Sequence, residues 1–250
     1  MLNNAHMSVL ITRPQPAGDE TASQLKKASV GEVIIEPLLT IKSLLKKSDK
    51  TTFQAANGYI FSSVRVFEVL AVGGLLDASK PCLCVGKKTA QAARDYGFGI
   101  PLLVAENSET LIRHIGDDRR VQKPMVMGRW LHVAGVHTRG DVSGHLQSMG
   151  IDCHHHAVYE AVSAQSLSAS TFESLKSQKI THVLFYSERT ITTFMSLIES
   201  LSASGYLKSM TAVCLSPAVA DAAQKGPWKE VITAAKATEE SLFKALGIKE

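Results

Sequence analysis

The sequence repeats itself at long range, and the length of the repeat rules out most simple architectures. Residues 58–65 read GYIFSSVR and residues 182–189 read HVLFYSER. Further on, CVGKKTAQAARDYG at 84–97 is echoed by CLSPAVADAAQKG at 214–226, and NSETLIRHI from Asn107 by TEESLFKAL from Thr238. The repeat unit is roughly 120 to 130 residues, longer than any solenoid period and close to the size of an ordinary domain. A chain of 250 residues, 45% of them hydrophobic, can therefore build two cores of ordinary size rather than one large one.

Within each copy, short β-branched runs alternate with helical patterns. The runs Val9–Thr12, Val33–Glu36, Gly58–Ser62, Cys82–Val85 and Leu102–Val104 read as strands. So do Trp130–Ala134, Asp152–His156, His182–Tyr186, Ala212–Leu215 and Glu230–Thr233. Between them, amphipathic stretches at Asp19–Lys27, Ser63–Val72, Lys88–Asp95, Thr110–Ile115, Gly140–Ser148, Arg189–Ser200, Pro217–Gln224 and Glu239–Leu246 read as helices. This order builds right-handed βαβ units and open parallel sheets, whose ligands gather at the carboxyl ends of the strands. Two extended segments, EPLLTI at 36–41 and HHAVYEAV at 155–162, interrupt the alternation. If they pair, the chain crosses between lobes and returns. The expectation is an α/β protein of two similar flavodoxin-like parallel-sheet domains joined by a two-stranded β linker, with the active-site cleft between them. One lobe would hold residues 1–36 and 163–250 and the other residues 42–155, with 37–41 and 156–162 as linker strands.

Bulk properties narrow the partners. The net charge of +4 is modest and no Lys/Arg block is dense enough for a nucleic-acid stripe, so a small anion fits better than a polyanion. No apolar run approaches the ~18 residues of a membrane span and no signal-peptide order opens the chain, which places the protein in the cytoplasm. Met1–His6 read as a tail, with Met7 an alternative start. Cys82, Cys84, Cys153 and Cys214 lack zinc or redox spacing and read as small buried hydrophobes. The run Cys153-His154-His155-His156 supplies only two ligands per strand face, which is too few for a metal without a further ligand from elsewhere. The GKKT of residues 86–89 lacks the spacing of a P-loop, and Gly97-x-Gly99 lacks the third glycine of a dinucleotide fingerprint.

Candidate site residues cluster at the turns that follow strands. Ser62, Ser63, Thr89 and Ser187 can either cap the next helix or turn their hydroxyls toward a ligand. Arg13 follows the first strand, where its guanidinium can take a carboxylate bidentately or form a surface ion pair. Arg139 lies in a loop opened by Gly135 and Gly140.

An ordered set of fragments carries a resemblance. Thr12-Arg13-Pro14 ends the first strand and Phe61-Ser62-Ser63 ends a later one. Val85-Gly86-Lys87-Lys88-Thr89-Ala90 follows, then Val158-Tyr159 in the linker strand and Phe185-Tyr186-Ser187 in the second copy. In this order and spacing the chain resembles the uroporphyrinogen-III synthase family over almost its whole length, from about Val9 to Leu246. The resemblance implies a cofactor-free lyase of haem biosynthesis that cyclises hydroxymethylbilane with inversion of ring D and loss of water. It further implies a monomer that takes a linear tetrapyrrole and meets hydroxymethylbilane synthase only in passing. Tyr159 would act as general acid, or pack as an aromatic between lobes, and Thr89 would assist. Arg13, Ser62, Ser63, Gly86, Arg139, Ser187 and Ser216 would hold the substrate. The second copy departs from the family pattern at Leu215-Ser216-Pro217-Ala218-Val219, where glycine and threonine are missing. That departure leaves open a weakened or non-catalytic tetrapyrrole- or anion-binding protein on the same fold.

Overall fold

The computed structural model describes residues 4–71 and 74–248. The C-terminal end of the helix expected to reach Val72, and Met1–Asn3 of the expected tail, lie outside the described residues. Among the described residues the strands, in chain order, are β1 Ser8–Ile11, β2 Glu32–Ile35, β3 Leu39–Ser43, β4 Gly58–Phe61, β5 Cys82–Val85, β6 Leu103–Ala105, β7 Trp130–Gly135, β8 Cys153–Ser163, β9 His182–Phe185, β10 Thr211–Cys214 and β11 Glu230–Thr233. The helices are α1 Ala17–Lys27, α2 Asp49–Ala55, α3 Arg65–Leu70, α4 Lys87–Tyr96, α5 Ser108–Asp117, α6 Arg119–Val126, α7 Val142–Ser148, α8 Ala169–Lys176, α9 Glu188–Ser200, α10 Pro217–Ala223 and α11 Glu239–Ala245.

The chain divides into two compact units, Met1–Thr40 with Val162–Glu250, and Ile41–Ala161. In the first unit the sheet order is β11-β10-β9-β1-β2, every pair parallel. Counted along the chain this is the 2-1-3-4-5 order of flavodoxin-like sheets. In the second unit the order is β3-β8-β7-β4-β5-β6, with parallel pairing from β8 through β6. Counted from β4 this reads 3-2-1-4-5, and the first unit reads the same when counted from β9. The sequence repeat thus falls on equivalent elements: β4 with β9, β5 with β10, α4 with α10 and α5 with α11. By the same equivalence β1 occupies the place of β7.

Central strands such as SVLI in β1, GYIF in β4 and TAVC in β10 are buried at every residue. They sit under helices on both faces, so they read as continuous apolar runs and not as alternating ones. The first unit joins two distant stretches of sequence through β1–β9 pairing, a bond from the Thr12 hydroxyl to the Leu184 carbonyl (2.6 Å) and the buried Glu36 carboxylate. Glu36 accepts from the Ser168 backbone amide and from the Ser168 and Thr171 hydroxyls at the start of α8. In the second unit Tyr59, Phe61, Phe67 and Phe98 form one ring cluster, with Phe61 and Phe67 centroids 4.7 Å apart.

Helices α2, α6 and α8 carry no clear signal in the sequence. Pro124 lies inside α6, and α2 and α8 contain Thr and Ser residues of modest helix propensity. Packing holds these short helices where propensity does not. The segments read separately at 152–156 and 155–162 form the single strand β8, which is hydrogen-bonded to β3 in the sheet of the second unit. Both strands run across the boundary between units. The expected tail is tied down at its end, where Asn4 donates from Nδ2 to the Ala28 carbonyl.

Gly58 faces the ring of Trp130 across the β4–β7 pair, and a Cβ at that position would lie 2.5 Å from ring carbons. Gly58→Ala is expected to cost about 1–3 kcal/mol through overpacking. The chain has two tryptophans, Trp228 in the first unit and Trp130 in the second. Urea unfolding followed by fluorescence in a Trp228→Phe background therefore reads the second unit, and its midpoint should fall on adding Gly58→Ala.

Candidate functional site

At the carboxyl ends of β4 and β7, where the strand order of the second unit reverses, lies an open hollow of about 620 Å³. Such switch points are where doubly wound sheets take their ligands, because the loops that follow adjacent strands there run in opposite directions. Ser62 and Ser63 follow β4, residues 106–109 lead into α5, residues 137–140 follow β7, and Tyr159 enters from β8.

The register of β8 on β7 explains how Tyr159 reaches this place. Ala134 pairs with Ala157 but Gly135 pairs with Tyr159, so Val158 is an extra residue in the ladder. This bulge turns Val158 into the core, fully buried, and re-aims Tyr159 toward the hollow. The phenol ring then lies against Gly135, where any Cβ would come within 2.7 Å of the ring carbons. Tyr159 donates its hydroxyl hydrogen to Ser63 Oγ (2.9 Å), and the same oxygen accepts from the Arg65 amide.

Beside this pair stands a second one. Ser62 Oγ is 2.8 Å from Nε2 of His132, which lies in the middle of β7 and is 1% exposed. Burial is the main reason the His132 pKa is lowered to about 4, with His155 nearby pushing the same way and Asp141 opposing. The imidazole is therefore neutral near pH 7, with one ring nitrogen a donor and the other an acceptor. Sequence reasoning passed over His132. Its one visible signal was a histidine inside the otherwise apolar run WLHVAG. Glu106 and Glu109, which also line the hollow, were missed as well because they sit in a loop and a first helical turn, where acidic residues are commonplace.

The expected site residues separate by unit. Ser62, Ser63, Arg139 and Tyr159 line the hollow, and Arg139 makes no ion pair among the described residues. Gly86 and Thr89 belong to the same unit but lie outside it. Gly86 opens α4 at φ +86, a left-handed backbone that favours glycine. Thr89 is buried just beyond, at 4% exposure. Arg13, Ser187 and Ser216 belong to the first unit. Arg13 contacts Glu239 (2.8 Å) and Thr21, with its guanidinium 4.2 Å from the centre of the Tyr186 ring. Ser187 caps α9 by accepting from the Thr190 amide. Ser216 stands at the N-cap of α10 with an extended backbone, φ −150, and its hydroxyl makes no capping bond. The second copy has thus replaced a left-handed glycine turn by an extended one followed by Pro217, which suits the first position of a helix.

Two parallel-sheet α/β units, the second with a polar hollow at its switch point, make a Rossmann-like two-domain fold. The comparisons give the family. A model of the family "Uroporphyrinogen-III synthase HemD" matches residues 19–244, and the chain belongs to that family. A uroporphyrinogen-III synthetase structure from Helicobacter pylori superposes with TM-score 0.63 at 17% identity, over 97% of this chain and 100% of that one. A mutant uroporphyrinogen III synthase from the extremely thermophilic bacterium Thermus thermophilus superposes with TM-score 0.56 at 14% identity, over 96% of each chain. These likenesses establish the shared fold. A sequence comparison with curated proteins finds no match.

His132 makes stability depend on pH with a definite sign. Its folded pKa of about 4 lies below the ordinary 6.5, so between those values the unfolded chain binds a proton that the folded chain refuses. The contribution is complete above pH 6.5 and is lost as pH falls toward 4, by about 3 kcal/mol in all. His156 and His182, also lowered by burial, act in the same direction. Urea midpoints measured from pH 7.5 to 4 should fall, and His132→Phe should flatten the decline.

Proposed function

We propose that the protein is a uroporphyrinogen-III synthase that cyclises hydroxymethylbilane to uroporphyrinogen III, with ring D inverted and one water lost. The observation that carries this reading is the Tyr159–Ser63 pair at the wall of the hollow, in a chain of this family. Ring A of the substrate must shed its hydroxyl to give an azafulvene, which ring D then attacks at its substituted carbon. A spiro intermediate fragments and recloses with ring D reversed. The departing hydroxyl needs a proton, and a phenol can donate a hydrogen bond to it without changing charge near neutral pH. Tyr159 takes this role once substrate displaces Ser63 as its acceptor.

The substrate carries eight carboxylates, whereas Arg139 shares the hollow with Glu106 and Glu109. Net charge therefore cannot be what holds the ligand there. Directed donors hold it instead: the Ser62 and Ser63 hydroxyls, Arg139 and the amides at the start of α5. Gly86 and Thr89 shape the neighbouring turn, and Arg13, Ser187 and Ser216 bind through the first unit. In this reading the lobes are residues 1–36 with 163–250 and residues 42–155, and the protein works in the cytoplasm as a monomer without a cofactor. Because bilane closes on its own to the type I isomer, the enzyme's task is to hold rings A and D in the inverting geometry first.

Purified protein given freshly generated hydroxymethylbilane should yield the type III isomer well above the no-enzyme control. Type I product alone would overturn the reading. Tyr159→Phe should lower kcat by about 10²-fold, the low end of what a positioned proton donor supplies, with KM little changed.

A further inference from the structure

His132 has no part in the chemistry above, yet it is a fully buried polar side chain in the central strand of the second unit, aimed at the wall of the hollow. A buried imidazole is costly unless it is bonded, and an apolar residue would fill the space between β4 and β8 more cheaply. Its ring meets Ser62 Oγ, itself half-buried at the edge of the hollow. The other titratable groups near it are His155 on β8, Asp141 ahead of α7 and Cys153, whose sulfur accepts the His132 backbone amide. None of them takes the place of Ser62.

A serine has one proton and two lone pairs. If it gives that proton to the imidazole, it offers a ligand only acceptors, which a carboxylate rejects. If the imidazole donates instead, the serine proton is released toward the hollow. We propose that His132 is a positioning residue for Ser62: its Nε2–H donates to Ser62 Oγ, which turns the serine's own O–H outward to bind a carboxylate of the tetrapyrrole. The assignment deepens the proposed function and rests on it for the identity of the ligand. The neutral ring, favoured by burial, keeps a positive charge out of the core while still supplying the donor.

Two measurements test it. Nitrogen-15 NMR of the wild-type protein at pH 7 should show the His132 ring, assigned by its loss in His132→Phe, as the Nε2–H tautomer. The Nδ1–H tautomer would overturn the proposal. Fluorescence titration with uroporphyrin III then compares wild type, Ser62→Ala, His132→Phe and the double variant. Each single change should weaken binding about tenfold, the loss of one hydrogen bond to a charged group, and the double should be no weaker than either single. His132→Gln, which restores an N–H donor of similar reach, should recover most of the affinity. Additive losses, or equal losses in His132→Gln and His132→Phe, would mean that His132 only fills space. The isomer assay stays separate: type III product together with additive losses sinks this inference alone, and tight binding with type I product sinks the enzyme reading alone.

Discussion

The close approach of the Tyr159 ring to Gly135 is the contact on which the candidate site depends. A side chain at Gly135 would occupy the space the ring now fills, and the extra residue Val158 in β8 is what brings the ring there. The bulge has two effects at once. It seats a valine in the core, and it carries the phenol to the end of the sheet, against Ser63. Add a Cβ at Gly135 or delete the extra residue and the hydroxyl no longer meets the turn after β4. The chemistry proposed for the protein is thus set by backbone register, with the side-chain identity of Tyr159 following from it.

Duplication makes the contrast between the units informative. At the carboxyl ends of β1 and β9, the counterparts of β7 and β4, Arg13, Thr21, Tyr186 and Glu239 satisfy one another. Burial, first of all, and then the Glu239 carboxylate hold the Tyr186 phenol protonated well above its usual range, against the Thr21 hydrogen bond and Arg13. By register Ile11 takes the place of His132, so Thr12-Arg13 has no Thr-Arg counterpart in β7; Arg139 comes later, in the loop after β7, and lies on the open wall of the hollow without an ion pair among the described residues. The position of Glu239, first in α11, is held by Ser108 at the start of α5. The paired arrangement in the first unit ties α11 to α1 and to the turn after β9.

Much of this was legible before any coordinates. The repeat, the strand runs and the turns bearing Ser62, Ser63 and Ser187 all follow from local composition, and short runs such as VLI and YIF, β-branched or aromatic and followed by turn residues, read as buried strands. The bulge was not legible, because it arises from pairing between residues some two dozen positions apart and leaves no trace in either strand alone. His132 was hidden for a similar reason: its meaning comes from Ser62 across the sheet, and a histidine within an apolar strand looks like any tolerated polar residue. Helix α6 was obscured by Pro124, whose missing donor matters less in a short, packed helix than in an isolated one. Most of the Cys153–His156 run has an ordinary structural account, with Cys153 in the core and the Nε2 atoms of His154 and His155 bonded to Asp152 and to the Gly135 carbonyl, while His156 Nε2 lies 3.7 Å from the Asp49 carboxylate.

The central claim is that a tetrapyrrole binds at the switch point of the second unit, against the turn that carries Ser62 and Ser63. Amide hydrogen exchange with and without saturating uroporphyrinogen III, kept reduced, tests it most directly. The account predicts slowed exchange at residues 62–63, 106–109 and 135–140. Saturated binding that leaves all three segments unchanged would contradict it.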